Sequence, residues 1–423
     1  PVPAHDNAFY QNQHSQEVYQ ELEATDIRHW KKRFDYLKER DAMPSTESLD
    51  VPDDAYVDGA LAVWATDLLQ EYAGTGEPFF LTVGFTKPHL PFVAPKKYWD
   101  LFDRDEIDLA AFRERAENSP DFAYHNFGEL RSYTDIPSDW NEDLDEAKQR
   151  ELIHGYYACV AFIDAQIGKI LDTLEETGLS ENTIVVLWGD HGYHLGDHGM
   201  WNKHSNFEEA THSPLIISAP GYKRGQKATG MTEFVDIFPT LVELAGLEAP
   251  YELEGESLVP ILEDPSTEIK EYSISQYPRN GGRMGYALRN DRYRLVMWMK
   301  FNWRSTMPFN SSAVEALELY DYETDPLETV NLANDPAYAE VLTELKSQMK
   351  EYFARYADEP EPVLTAEVDV VEPSTTGTVV DLASVDPSSV ETRFASVSQA
   401  NGELVIGVGS ERLRNRRSQA HEP

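Results

Sequence analysis

Two parts of the chain combine the spacing of an amphipathic helix with a short, nearly continuous apolar run. In the first part, apolar residues recur every three or four positions over 61–72, Gly76 follows, and 79–85 form the apolar run. In the second part, helical spacing covers 152–174 and the apolar run covers 183–188. The spacing predicts two helices, and the continuous runs predict strands that are covered on both faces.

A third apolar run, 215–218, precedes helix-like spacing at 235–244. Helices that alternate with continuous apolar strands predict an α/β fold with a mainly parallel sheet between helices. Ligands of such sheets gather outside the carboxyl ends of the strands. The residues that directly follow the strands are therefore the candidates for ligand contact.

The pattern changes after about residue 262. Short aromatic and β-branched runs, separated by Gly and Asn-Asp turns, cover 271–277, 284–289 and 293–299, and one amphipathic stretch covers 338–356. This predicts an antiparallel meander with a helix.

The predicted organisation has three parts. An α/β domain covers 1–265, a smaller C-terminal α+β subdomain covers 266–357, and a segment rich in Pro, Glu, Ser, Thr and Val covers 358–423. Because that last composition has no sustained period, it predicts a linker or a disordered tail.

The charge composition disfavours two classes of binding partner. The 423 residues include 36 Lys and Arg against 75 Asp and Glu, a net charge of −39, which disfavours binding to nucleic acid or to anionic membranes. Any anion site must therefore carry its own positive charge. No apolar stretch is long enough for a transmembrane segment, and the first thirty residues have no signal-peptide pattern.

The one cysteine, Cys159, lies on an apolar helical stripe, which predicts a packed core thiol.

The densest chemical pattern follows the 183–188 strand. Asp190 and His191 come at its carboxyl end, and four His and two Asp fall within 190–204. A carboxylate beside an imidazole can hold a divalent cation. The pair alone could simply cap the turn after the strand, but the density of His and Asp favours a metal or anion site.

Two further groups suit an anion. Lys87 and His89 follow the predicted strand at 79–85, where a cation and an imidazole could meet an oxyanion and His89 could protonate a leaving oxygen. Lys203 could neutralise a bound anion, although a lysine at such a position could equally be a solvated surface charge.

These segments resemble those of the sulfatase family, in particular iduronate-2-sulfatase-like enzymes of the alkaline phosphatase superfamily. The likeness runs in consistent order from about 50 to 356. It is carried by the segments 87–92, 156–174, 189–192, 203–207, 210–215, 235–241, 318–326 and 331–333.

The resemblance implies an alkaline-phosphatase-like α/β fold that binds one Ca²⁺ and hydrolyses sulfate esters. It implies that Asp190 and His191 are metal ligands, although many sulfatases have Asn where this chain has His191. It also implies that His89 and Lys203 contact the sulfate as catalytic residues. We assign Lys87, Tyr193 and His194 as candidate substrate-binding residues, and loop packing is the alternative for the last two. Arg131 and Tyr133 are further candidate sugar contacts with the same alternative.

The chain departs from the family pattern in its nucleophile. Sulfatases of this type carry a Cys or Ser in a Cys/Ser-x-Pro-x-Arg motif that is converted to formylglycine, and Cys159 is followed by Val-Ala-Phe instead. The motif and the paired aspartates that complete the family's metal site do not occur in this sequence. We expect them in a missing N-terminal segment, so that the chain is inactive alone.

The function expected from the resemblance is removal of sulfate from a sulfated, uronic-acid-containing glycan by an exported, periplasmic or extracellular enzyme. Two alternatives stay open. A phosphomonoester or phosphonate hydrolase on the same fold would use a Thr or an unmodified Ser as nucleophile. A non-catalytic glycan-binding protein would keep the anion site without turnover.

Overall fold

A computed structural model describes residues 10–139, 142–249, 251–300 and 309–355, and the backbone of 395–400 and 403–408. The α-helices in chain order are α1 (Gln13–Glu23), α2 (Trp30–Lys38), α3 (Val57–Thr75), α4 (Lys96–Trp99), α5 (Glu146–Glu176), α6 (Glu208–Thr211), α7 (Ile237–Leu244), α8 (Val259–Glu263) and α9 (Ala339–Ala354). The strands are β1 (Thr46–Leu49), β2 (Phe92–Pro95), β3 (Val185–Trp188), β4 (His194–Leu195), β5 (Trp201–Asn202), β6 (Leu215–Ser218), β7 (Ser273–Arg279), β8 (Arg283–Arg289), β9 (Tyr293–Lys300), β10 (Val314–Asp321), β11 (Ala395–Ala400) and β12 (Glu403–Val408).

The helices predicted from apolar spacing are confirmed. Helix α3 ends at Gly76, which adopts a left-handed φ of 68°, a conformation that glycine takes without steric cost. Helix α5 begins after Asp145, whose side chain accepts a hydrogen bond from the backbone N–H of Lys148. The prediction for Cys159 on this helix is also confirmed, because its side chain is fully buried and burial raises the pKa of the thiol to about 12.

Helix α5 packs directly on a parallel pair of strands. Strands β1 and β2 pair in parallel with Thr46 opposite Phe92, and all four β2 residues are buried. At Gly155 a Cβ atom would lie 2.8 Å from the Cβ of Phe92 and 2.8 Å from the ring of Trp99. Only glycine permits this close approach, so the main hydrophobic core forms between α5 and these strands.

The strand predicted at 79–85 is wrong, since this segment follows α3 without strand pairing among the described residues. Its residues alternate between half-buried and exposed, and Phe80 is 71% exposed. The ring of Phe79 stacks on Tyr72 of α3, with 4.7 Å between the ring centroids. An apolar run becomes a strand only where a neighbour supplies backbone partners, and the described chain gives this run none.

Strands β3 and β6 lie at the second and third apolar runs, as predicted, but they differ from the prediction in two respects. They pair antiparallel, with Trp188 opposite Leu215, and no residue of either strand is buried. Trp188 is 46% exposed and Ile216 57% exposed. This pair therefore leaves an apolar surface that the described residues do not cover.

The C-terminal meander is confirmed and has one more strand than predicted. Strands β7, β8, β9 and β10 form one antiparallel sheet in that order. Helix α9 packs on it through Leu345 and Met349, which share a buried cluster with Leu288 and Leu295.

A buried ion-pair network joins this sheet to the α/β part. Arg294 of β9 lies 2.9 Å from Glu328, donates to the backbone oxygen of Asn206 at 2.8 Å, and also pairs with Glu208 at the start of α6.

The remaining sequence predictions concern the tail and the membrane. Most of the predicted linker at 358–423 lies outside the described residues, and within it β11 and β12 pair antiparallel, which the prediction of a linker did not include. The division into three parts stays a prediction. Of the helices in the described part, none has the length and apolar content needed to cross a membrane.

Candidate anion-binding site

Three nitrogen donors converge on the carboxylate of Glu129. The Nε2 atom of His89 lies 3.0 Å from Oε1, while Lys203 Nζ and His204 Nε2 lie 3.7 and 3.6 Å from Oε2. His89, Glu129 and the adjacent pair Lys203 and His204 come from three separate segments of the chain. The structure thus brings together His89 and Lys203, the two residues assigned to sulfate contact.

His89 is held by a loop that is anchored to the start of α3. The carboxylate of Asp58 accepts hydrogen bonds from the backbone N–H groups of Thr86 and Lys87, at 3.0 and 2.8 Å. The Nζ of Lys87 donates to the backbone oxygens of His89 and Pro91, at 2.9 and 2.7 Å. The loop is therefore fixed on both sides of His89.

This arrangement differs from the predicted substrate contact of Lys87. Its side chain is buried, and burial lowers the pKa of its ammonium group. Because the Nζ hydrogens are directed at carbonyl oxygens of its own loop, the observed contacts of Lys87 are those of a residue that positions His89.

Lys203 and His204 directly follow β5. Tyr277 of β7 places its hydroxyl 2.7 Å from Nδ1 of His204. The C-terminal sheet therefore takes part in orienting the site.

Glu129 is kept ionised by its neighbours. Burial alone would raise its pKa, but the nearby imidazoles of His204 and His89 and the charge of Lys203 outweigh burial and hold the pKa well below its usual range. A carboxylate in this position shows that the three donors suit an oxyanion. It also means that the site as it stands is largely neutralised.

Two more side chains with nitrogen atoms, His125 and Arg279, lie in this region. The ring of His125 is 6.0 Å from that of His204, and burial lowers the pKa of His125 to about 3, so this imidazole is neutral at physiological pH. Arg279 donates to the backbone oxygen of Ala123 at 2.6 Å, and burial lowers its pKa to about 10, which leaves it charged. Arg279 thus adds positive charge near the imidazoles.

Sequence reasoning missed Glu129, Tyr277 and Arg279 as site residues. Each lies far along the chain from the 190–204 segment and in a stretch without an unusual pattern. Their roles arise from tertiary contacts, so periodicity and local spacing carried no signal for them.

Asp190 and His191 lie in a turn after β3. The Asp190 side chain is 83% exposed and lies 3.5 Å from His191 Nε2, while His191 Nδ1 lies 2.7 Å from the backbone oxygen of Gly192. Within the described residues, neither side chain belongs to a group of three that could hold a metal ion. Ca²⁺ takes about six to eight oxygen ligands. One exposed carboxylate and one imidazole do not meet that need without further oxygen donors.

Comparison with known proteins decides the family. The family model described as Sulfatase matches residues 5–247, which is more than half of the chain. The chain belongs to the sulfatase family. A second model, described as N-sulphoglucosamine sulphohydrolase, C-terminal, matches residues 196–355.

Among curated sulfatases, iduronate 2-sulfatase of Homo sapiens is 32% identical over 361 residues, covering 68% of this chain and 64% of the relative. A sulfatase of Formosa agariphila is 31% identical over 304 residues, covering 72% of this chain and 55% of the relative. The chain therefore spans less than two thirds of the length of these two relatives.

Solved structures confirm the α/β fold class. A phosphonate monoester hydrolase from Silicibacter pomeroyi has a TM-score of 0.59 and 25% identity, covering 72% of this chain and 61% of that one. A structure in complex with its substrate D-glucosamine-2-N,6-O-disulfate has a TM-score of 0.59 and 22% identity, covering 70% of each chain.

In this sulfatase chain, the candidate sugar contacts lie in the interior. His194 is fully buried, with Nε2 2.7 Å from Ser205 Oγ. The Tyr193 ring packs against Phe92 and Tyr156, and its hydroxyl accepts from Asn202 at 2.8 Å. These positions argue against direct sugar contact and favour the packing alternative.

The second pair of candidates gives the same picture. Arg131 is buried and donates to the backbone oxygens of Pro137 and Glu142, at 2.9 and 2.8 Å. Tyr133 is also buried. Both residues therefore fit a role in loop packing.

Proposed function

We propose that this chain supplies the anion-binding part of a sulfuric ester hydrolase that removes sulfate from a sulfated, uronic-acid-containing glycan. The observation that carries the proposal is the convergence of His89, Lys203 and His204 on one carboxylate. A sulfate ester presents the same chemistry to these donors, namely oxygen atoms with negative charge. Because the chain has a net charge of −39, such a local group of donors is needed to attract an anion.

His89 is suited to act on the leaving oxygen. Its Nδ1 lies 2.6 Å from the backbone oxygen of Leu90 and its Nε2 lies 3.0 Å from Glu129. Both partners are acceptors, so both hydrogen bonds form together only when each ring nitrogen carries a proton. An imidazolium fixed at Nδ1 can deliver the Nε2 proton to an ester oxygen that takes the place of the carboxylate.

Lys203 and His204 serve the non-bridging oxygens in this proposal. Lys203 is a point charge that stabilises negative charge on the sulfuryl group, and His204 is oriented by the hydroxyl of Tyr277 at 2.7 Å. Fixed donors need no reorganisation when charge develops in the transition state. They would therefore lower the barrier as well as bind the ground state.

The nucleophile is proposed to come from a segment outside these 423 residues. In sulfatases of this type, formylglycine supplies the hydroxyl that attacks sulfur. Two observations support an additional segment: the chain covers 64% of iduronate 2-sulfatase of Homo sapiens, and β3 and β6 expose Trp188 and Ile216. Added strands would cover this apolar surface and give the run at 79–85 a partner.

A Ca²⁺ ion is proposed on the same basis. Asp190 and His191 lie in one turn, and the oxygen donors that they do not provide would come from the additional segment. We also propose export to the periplasm or the cell exterior, which rests on family membership alone.

A phosphonate or phosphomonoester hydrolase is the second candidate. It is supported by the phosphonate monoester hydrolase from Silicibacter pomeroyi, at a TM-score of 0.59. Among curated relatives, a multifunctional alkaline phosphatase superfamily protein of Trinickia caryophylli is 30% identical over 300 residues. Phosphonate monoesters also present anionic oxygens on a tetrahedral centre, which the same donors could bind.

The test compares substrates on the native protein purified from its source. Release of inorganic sulfate from a 2-O-sulfated uronic-acid disaccharide, faster than hydrolysis of a phenyl phosphonate ester, is the expected result. The reverse order would support the second candidate. Saturable disaccharide binding with no release from either substrate would instead identify a glycan-binding protein and overturn the proposal.

A further inference from the structure

A second group of polar side chains lies inside the same region and takes no part in the anion site. His194 of β4, His198 of the following turn and Glu209 of α6 each offer one ligand atom, and these atoms all lie within 4.8 Å of one another. The two imidazoles are 0% and 2% exposed. The arrangement therefore sits in the protein interior.

Three polar atoms of this group lack hydrogen-bond partners. Within the described chain, His194 Nδ1, His198 Nδ1 and Glu209 Oε2 are buried and unpaired. Each buried, unpaired polar atom costs about 1–3 kcal/mol. His198 Nδ1 lies 3.9 Å from Glu209 Oε2, which is too long for a hydrogen bond between them. One such atom on each of the three side chains of this group requires an explanation.

The other nitrogen of each ring is held by a partner. His198 Nε2 lies 3.2 Å from the backbone oxygen of Glu328, which can only accept, so Nε2 is the donor and the lone pair of a neutral ring lies on Nδ1. His194 Nε2 lies 2.7 Å from Ser205 Oγ. An imidazole whose outer nitrogen is fixed by a hydrogen bond while the inner one is free is the arrangement found in metal-binding histidines.

We propose that His194, His198 and Glu209 form a buried site for a transition-metal ion of the Zn²⁺ type, separate from Asp190 and His191. Two imidazoles and one carboxylate are a donor set that Zn²⁺ accepts and that Ca²⁺, which prefers oxygen, does not. Zn–N and Zn–O distances of about 2.0–2.2 Å need ligand atoms roughly 3.3 Å apart. In this proposal the ligand atoms move closer together when the ion binds, and a water molecule completes four-fold coordination.

The ion would have a structural role. It would join β4, the turn at His198 and α6, and these elements flank β5 and Lys203 in the sequence. His198 adopts φ of 56°, a left-handed conformation that a non-glycine residue holds only where its surroundings fix it. A bound ion would supply that constraint and keep Lys203 and His204 in position.

The test measures Zn²⁺ binding to native protein that has first been stripped of metal by a chelator. The background is a D190N/H191Q variant, so that these two side chains cannot contribute. We expect one Zn²⁺ per chain by calorimetry, and Co²⁺ in its place should give the visible absorption of a four-coordinate ion. H198Q should weaken Zn²⁺ binding by at least about 100-fold. The matched control is H212Q, because the His212 side chain is 78% exposed and should leave binding unchanged.

A second measurement covers the case in which H198Q fails to fold. X-ray absorption of Zn²⁺ bound to the D190N/H191Q protein should show nitrogen and oxygen ligands that include two imidazoles, and Tm should rise with Zn²⁺ concentration. No saturable Zn²⁺ binding, or equal binding in H198Q, would overturn the proposal. These readouts do not involve turnover, so they are independent of the proposed hydrolase activity.

Discussion

Lys203 Nζ lies 3.7 Å from Glu129 Oε2, within ion-pair range but beyond a direct hydrogen bond. The closest donor to this carboxylate is His89, at 3.0 Å from Oε1. Lys203 is therefore attracted to Glu129 without being held by it. Its ammonium keeps the freedom to turn toward an incoming anion, while the half-buried carboxylate competes with that anion for the same donors.

Replacing Glu129 should strengthen anion binding. Glu129→Gln keeps the shape of the side chain but removes the negative charge that now faces His89 and Lys203. We expect the Kd for inorganic sulfate to fall by about tenfold, which corresponds to ~1.4 kcal/mol. Calorimetry on the native protein measures it, with Glu142→Gln, on the following loop, as control. Weaker sulfate binding in E129Q would show instead that Glu129 organises the donors.

The buried pair of Arg294 with Glu328 should dominate the stability of the link between the two parts of the chain. Both side chains are 1% exposed, and Arg294→Met leaves the buried Glu328 without this cation and removes one of the two arginines that pair with Glu208. We expect a loss of about 3–5 kcal/mol in the free energy of unfolding. The comparison is Arg283→Met on the same sheet, whose more exposed pair with Glu315 should contribute much less to the free energy of unfolding. Urea unfolding of both variants tests this, and equal losses would contradict it.

Gly192 should not tolerate a side chain. A Cβ there would lie 2.0 Å from the backbone oxygen of Glu209, so Gly192→Ala forces apart the turn that carries His191 and the start of α6. We expect a lower Tm and weaker binding of both proposed ions, Ca²⁺ at His191 and Zn²⁺ at Glu209. Gly168→Ala in α5 is the control, because no atom lies within 4 Å of its Cβ position and the helix should gain about 1 kcal/mol. Thermal unfolding that ranks G192A at or above G168A would refute this account of the turn.

The free energy of unfolding should fall in acid because Asp53 loses its charge there. Burial alone would raise the pKa of Asp53, but hydrogen bonds from Lys169 and Lys97 outweigh burial and lower this pKa to about 2. An Asp in the unfolded chain has a pKa of about 3.9. Ionised Asp53 therefore stabilises the fold above roughly pH 4, and this contribution is lost as the pH falls toward 2. Urea unfolding of the parent and Asp53→Asn at pH 6 and pH 2.5 should show a difference that shrinks in acid. A constant difference would count against the ion pairs.

Helices and the C-terminal sheet were predictable because their own residues supply the signal. Helix α5 buries a stripe that repeats every three or four residues. Strands β8 and β9 are apolar runs separated by a clear turn. In both cases the local sequence pattern agrees with the burial in the structure. The run at 79–85 has an equally apolar sequence but no strand partner in the described chain. A strand depends on a neighbour, which its own sequence does not contain.

The site was predictable where residues follow a recognisable segment. His89 and Lys203 were found in this way, and they meet at Glu129. Glu129 itself was missed because its role depends on contacts with both of them. For His194 the sequence left sugar contact and loop packing open, and the fully buried ring favours packing. Sequence proximity to a motif did not indicate which way the side chain would point.

The most direct test of the central claim compares the rate of sulfate release by the native protein with the rate of a variant in which His89 is replaced. The assay measures kcat/KM on a 2-O-sulfated uronic-acid disaccharide for the parent, for His89→Gln and for His14→Gln, an exposed histidine that serves as control. If His89 and Lys203 form the sulfate site, H89Q should lose about 10²–10³-fold and H14Q should equal the parent. Sulfate release by H89Q at the parental rate would contradict this assignment.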